Sequence, residues 1–227
     1  MLLLLTVSVR LFRHSFLAQY DIYNIATGRR VKLQPDLDKL IAALGGGGPG
    51  APPPLPPGQT PPQLPLEFAM WGPVGSSVAY VFGANIYYRE TPESTDAMVT
   101  TSGRPGVVFN GVADWVYEEE VLSDTKAIYF SPDGDKLAWI EFNDTDVDVM
   151  TIPHYGQPGN KTQLRYPKPS RKNPTVNVFA AAVRGVRGLP RARRMVRYLL
   201  FVSALTTTFP PSNRPVTLTT ERSTSTP

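Results

Sequence analysis

The 227 residues contain no cysteine and only two histidines, His14 and His154. The first absence removes disulfide, thiolate nucleophile and thiolate metal site together. Two imidazoles are too few for most histidine-based metal centres, so no metal and no cofactor is implied. The redox compartment is left open. No apolar run approaches the roughly 20 residues that span a bilayer as a helix. The opening, MLLLLTVSVRLF, has a largely apolar stretch of about nine residues, short even for a signal peptide and without a basic segment ahead of it. It reads as a β-strand, and no signal peptide or membrane anchor is identifiable.

What is present suits a globular protein, with 41% hydrophobic and 10% aromatic residues. The 24 prolines are too many for a simple domain, and nine of them fall between Pro49 and Pro65, behind four consecutive glycines. Such a tract buries too little apolar surface to offset its ordering entropy, so residues 45–65 are expected to form a flexible, partly polyproline II insert. Ahead of it, DLDKLIAAL from Asp36 to Leu44 carries a short helix pattern capped by Asp36. The net charge of +4 is concentrated: Arg184, Arg187, Arg191, Arg193, Arg194 and Arg197 lie together without an acid, and removing them leaves −2. A phosphate-tracking surface would have to be this tail alone. No aromatic pattern is interleaved with the arginines, so a solvated or disordered tail is favoured over a nucleic-acid arm.

From Leu2 to Ile25 the chain is rich in β-branched and aromatic residues with no helical period, and Thr27-Gly28 then separates two apolar runs as in a hairpin. After the insert, WGPVGSSVAYVF from Trp71 and FSPDGDKLAWIE from Phe130 superimpose at an offset of 59 residues. In each an aromatic is followed by Pro, then Gly, then an apolar-Ala-aromatic strand. Proline presets the turn dihedral and glycine closes it. Each strand is followed by a further apolar stretch, NIYYRE in the first copy and DVDVMTI in the second. A long period built from short strands is the mark of propeller blades, which cannot bury both faces singly. The alternative is two unrelated Pro-Gly hairpins of a sandwich.

DWVYEEEV, Asp114 to Val121, sets three carboxylates side by side among aromatic and apolar neighbours. Like charges repel more strongly as the local dielectric falls. Either these acids sit in water, as a solvated turn, or a cation comes to them.

These pieces, with FRHSFLAQYDIYNI, WGPVGSSVAYVFGANIYY and RYPKPSRKNPTVNV, resemble consecutive parts of the β-propeller domain of the dipeptidyl peptidase IV family. The resemblance covers residues 1–179 in order and implies an all-β fold, a partial β-propeller of a few four-stranded antiparallel blades. The Gly/Pro insert has no counterpart in the family pattern. Residues 180–227 show no resemblance, and the change at Ala180 reads as a truncated or misassembled reading frame.

Family members are serine exopeptidases that release dipeptides from a free N-terminus, usually after Pro or Ala. Carried over by motif, the resemblance makes Glu119 and Glu120 the anchors of the substrate's α-ammonium, on a short helical turn. Arg13 becomes the contact to a carbonyl oxygen of the first substrate residues. An ammonium offers three donors that two carboxylates can accept, and a guanidinium presents several donors at once. Taken alone, Arg13 is an ordinary surface arginine, and His14 reads as structural. Glu118 is left outside the anchoring pair. Asn143 and Asn160 head N-x-T sequons and are glycosylation candidates in a secreted chain; the family resemblance implies an extracellular or cell-surface setting.

The family's nucleophile lies in a glycine-flanked serine elbow, and no G-x-S-x-G occurs here. No catalytic residue is therefore assigned. The implied partners are peptide N-termini, the missing α/β-hydrolase domain and, in the complete protein, a second copy in a homodimer; no nucleic acid is among them. Two readings remain: a fragment of an active peptidase, and a non-catalytic accessory or ligand-binding propeller of the same family.

Overall fold

A computed structural model describes residues 1–36, 63–156, 159–185 and 193–198. The expected helix at 36–44 lies outside the described residues except for Asp36, as does the insert except for Gln63–Pro65. Two of these are tied to the first sheet and the residue just past it: the Gln63 side-chain amide donates to the Tyr20 carbonyl at 2.6 Å, and Leu64 N–H donates to Gln34 Oε1 at 3.3 Å.

The all-β expectation holds, as a partial β-propeller of three antiparallel sheets and a ribbon. The first sheet is β1 (Leu2–Arg10), β2 (Phe16–Tyr23) and β3 (Arg30–Leu33), in that order. The Thr27-Gly28 hairpin closes it: Asn24 accepts the Gly28 N–H at 2.8 Å, and Gly28 sits at φ +68°, where a side chain is disfavoured. The second sheet is β4 (Phe68–Trp71), β5 (Val78–Phe82), β6 (Asn85–Arg89) and β7 (Ala97–Met98). In the third, β10 (Lys136–Asn143) is central. On one side it pairs with β13 (Thr175–Ala182), which pairs in turn with β14 (Arg193–Tyr198). On the other it takes β9 (Ile128–Phe130) and β8 (Val108–Asn110) end to end. A two-stranded ribbon, β11 (Val149–Pro153) with β12 (Lys161–Arg165), stands apart.

The 59-residue repeat is real in register. Trp71 pairs with Val78 and Phe130 with Leu137; Gly72 N–H donates to the Ser77 carbonyl and Ser131 N–H to the Lys136 carbonyl. The two turns touch, since a Cβ built on Gly134 would lie 3.6 Å from Pro73. The copies diverge afterwards. NIYYRE forms β6 and pairs with β5, whereas DVDVMTI enters the ribbon and leaves β13 to pair with β10.

The second sheet is buried on both faces, and its side chains alternate between two cores as strand geometry dictates. Val78, Tyr80 and Tyr87 pack with Ala18, Ile22 and Leu33 of the first sheet. Ala79, Val81, Ile86 and Tyr88 pack with Ile128, Leu137 and Trp139 of the third. This face-to-face stacking is what blades need. The β5–β6 connection is tight: Gly83 and Ala84 both have positive φ, and Ala84 is held there by N–H bonds of 3.1 Å to both oxygens of Glu67. The tail expectation is revised where the chain is described: Ala180–Ala182 and Arg193–Tyr198 lie in strands.

Candidate functional site

The acid run begins where the third sheet turns over. Asp114 caps the turn, its Oδ2 accepting Val116 N–H at 3.2 Å while its carbonyl accepts Glu118 N–H at 2.9 Å. Residues Tyr117–Leu122 then widen into a π-helical turn, which ends at Ser123 with φ +53°. Such insertions are uncommon and cluster at functional sites. An apolar base seats the turn: Val116 and Tyr117 are buried against Phe142 and Val176 of the third sheet, with the Tyr117 and Phe142 rings 4.9 Å apart.

Opposite lies Leu11–Ser15, the loop joining β1 and β2. It folds back on itself through Leu11 N–H to the Ser15 carbonyl at 3.0 Å. The three glutamates meet it in three different ways. Glu118 is fully buried, and its Oε1 accepts His14 N–H at 2.7 Å and Ser15 N–H at 2.9 Å. Glu119 accepts Arg13 N–H at 3.1 Å on Oε1 and pairs with Arg13 Nε at 3.0 Å on Oε2. Its side chain is 10% exposed, whereas that of Arg13 is 70% exposed. Glu120 is exposed and has no partner among the described residues. The repulsion in DWVYEEEV is thus relieved from within, by one guanidinium and three consecutive amide donors, and Glu120 is left facing solvent.

The structure therefore brings Arg13, Glu119 and Glu120 to one place, over a separation of more than 100 residues. His14 enters through its backbone, consistent with a structural role. Asn143 and Asn160 lie elsewhere. Asn143 is half-buried, and its Oδ1 accepts Thr145 N–H at 3.0 Å; Asn160 is exposed beside the ribbon's turn.

Two carboxylates that sequence reasoning missed lie beneath the run. Asp114 and Asp144 are each 2% exposed, and each has a buried Oδ1 with no hydrogen-bond partner among the described residues. Burial, and then the Asp144 charge, holds Asp114 well above the usual carboxylate range. Burial raises Asp144 to about 7, opposed by Arg165, whose guanidinium bonds the Asp144 carbonyl at 2.8 Å. Burial and these two acids also push the Tyr117 hydroxyl up to about 12. Both acids border a cavity of about 420 Å³ between the Leu11–Leu17 stretch and the end of the ribbon, with Phe109 and Trp115 in its wall. Thirty residues separate them, a distance that no motif spans. Among the described residues no cluster of His, Cys, Asp and Glu could hold a metal ion, and no helix is long and apolar enough to cross a membrane.

Residues 1–192 match the family described as Dipeptidyl peptidase IV (DPP IV) N-terminal region, and the chain belongs to it. It is 36% identical over 172 residues to Prolyl endopeptidase FAP of Mus musculus, covering 75% of this chain and 19% of that protein. It is 36% identical over 180 residues to Inactive dipeptidyl peptidase 10 of Rattus norvegicus, covering 78% and 20%. Dipeptidyl peptidase 4 of Trichophyton tonsurans is 37% identical over 172 residues, covering 73% and 19%. The chain thus spans about a fifth of the length of these relatives. The crystal structure of Porphyromonas gingivalis dipeptidyl peptidase 4 shares the fold, with a TM-score of 0.66 at 24% identity over 86% of this chain and 24% of that one.

Proposed function

We propose that this chain is the substrate-amine-anchoring part of a dipeptidyl peptidase IV-like serine exopeptidase. Glu119 and Glu120 receive the protonated α-amine of a peptide, and Arg13 contacts a carbonyl oxygen of its first residues. The observation that carries the reading is the convergence of Arg13 with the acid run, with Glu120 and the outer guanidinium both open to solvent. Glu119 has lone pairs to spare, because a carboxylate accepts at about four sites and the Arg13 contacts take two. The hydrolase half supplies the nucleophile that the present sequence does not contain. The complete protein works on the extracellular side as a homodimer, where Asn143 and Asn160 are glycan acceptors.

A second reading rests on one specific finding. The relative named Inactive dipeptidyl peptidase 10 is as similar to this chain as Prolyl endopeptidase FAP, which favours a non-catalytic accessory or ligand-binding propeller as the second reading.

The first reading requires amine recognition. The test is calorimetry of the chain with Ala-Pro-Gly amide and with its N-acetyl form. Selective binding of the free amine, weakened by Glu120→Gln, is expected; equal binding of the two peptides contradicts the first reading. A complete transcript encoding a glycine-flanked serine, an aspartate and a histidine downstream separates the first from the second.

A further inference from the structure

Glu118 is the one glutamate of DWVYEEEV that faces neither solvent nor the Arg13 side chain. It is fully buried, and one of its oxygens gathers two consecutive amide donors, from His14 and Ser15. Glu119 takes the preceding donor, Arg13 N–H. Three successive N–H groups of the β1–β2 loop are therefore read by two successive carboxylates of the helical turn. A one-residue slip of the loop would break all three bonds and move Arg13 away from Glu119. Hydrogen bonds to an ionised acceptor are among the stronger ones, and these are shielded from water on the Glu118 side.

We infer that Glu118 is the positioning residue of the amine site. It does not touch the peptide. It fixes the loop so that the Arg13 guanidinium stands beside Glu119 and at a set distance from Glu120, before any peptide arrives. This rests on the amine-anchoring reading above, because it is the geometry of that site that Glu118 sets. It also gives the buried acid a purpose that neither surface charge nor core packing supplies: a leucine would fill the volume, but it would leave the two amides without acceptors.

The substitutions Glu118→Ala and Glu118→Gln separate positioning from charge. Ala removes both acceptors. Gln keeps a carbonyl in the same place and loses the charge. For the 227-residue chain titrated with Ala-Pro-Gly amide, Glu118→Ala is expected to raise Kd tenfold or more, with Glu118→Gln within threefold of the native chain. Binding of the N-acetyl peptide should be the same in all three. A folded Glu118→Ala chain with native Kd overturns the inference, since a merely structural role lowers stability without changing the affinity of folded molecules. A Glu118→Gln chain as weak as Glu118→Ala also overturns it, because the charge would then be acting directly.

Should Glu118→Ala not fold, amide exchange on the native chain decides. The Arg13, His14 and Ser15 amides are expected to be protected before peptide is added and no further protected afterwards. Free exchange that slows only on binding would mean the loop is not held in advance. Equal Kd for the free-amine and acetylated peptides on the native chain sinks the amine reading instead, whatever the exchange data show for the clamp.

Discussion

Replacing Asp144 with Asn should change how the stability of this chain depends on pH. Asp144 titrates near 3.8 when unfolded and at about 7 when folded, because burial disfavours its charge more than Arg165 restores it. A raised carboxyl pKa contributes stability that is complete below the unfolded value and is lost as pH rises to the folded one. The window is therefore about pH 4 to 7, and the size is about 4 kcal/mol, at about 1.4 kcal/mol for each tenfold step in acidity. Asp114 adds to the same trend, and its own elevation owes part to the Asp144 charge. Asn keeps the shape, cannot ionise, and lowers Asp114 by removing that charge. Urea unfolding at pH 4.5 and at pH 8 reads the effect. The native chain should lose several kcal/mol between the two, and Asp144→Asn, in which buried Asp114 still titrates high, should lose less and be the more stable at pH 8. Parallel pH profiles for the two chains would refute the buried acid pair as an energetic feature.

Three further outcomes are expected. Gly103→Ala should destabilise by about 2 kcal/mol or more in thermal or urea unfolding, because the new Cβ would fall 2.3 Å from the Ala84 carbonyl oxygen in a turn already held at positive φ. Leu137→Ala, at a fully buried position between the second and third sheets, should cost about 2 to 5 kcal/mol by the same measurement. The 227-residue chain, which contains no G-x-S-x-G, should release no chromophore from a Gly-Pro anilide above buffer, and sustained turnover that survives repurification would count against the assignment of no catalytic residue.

Much of the fold was legible because propeller turns announce themselves locally. Pro73 and Gly75, repeated as Pro132 and Gly134, set both the turn and the register of the strands beside it, so an offset of 59 residues in sequence became the same pairing in two sheets. The site was legible only through resemblance to a family: nothing near Arg13 in the chain says that it meets Glu119. Two features gave no sequence signal. Glu118 is bound through one oxygen by backbone amides, which every residue carries, and its buried Oε2 has no hydrogen-bond partner among the described residues, so its partners leave no side-chain trace. Asp144 sits in FNDTDV, which looks like a solvated turn; its burial depends on packing beside Asp114 from another strand connection. Ala84 hid the β5–β6 turn in a similar way, because an alanine at positive φ breaks the rule that marks such turns with Gly or Asn.

The central claim is that the acid run holds a cation belonging to a peptide's N-terminus. It is tested most directly in a chimera that places residues 1–182 in a relative with a working hydrolase domain, assayed on a free-amine substrate and on its N-acetyl counterpart. Losing one charge-assisted bond costs about 1.5 to 3 kcal/mol, so Glu119→Gln and Glu120→Gln should each lower kcat/KM for the free amine by roughly ten- to a hundredfold. On the acetylated substrate, chimera and variants should be equally poor. Folded Glu119→Gln and Glu120→Gln chimeras that cleave the free-amine substrate at the parent rate would reduce DWVYEEEV to an acidic turn that merely closes on its own loop.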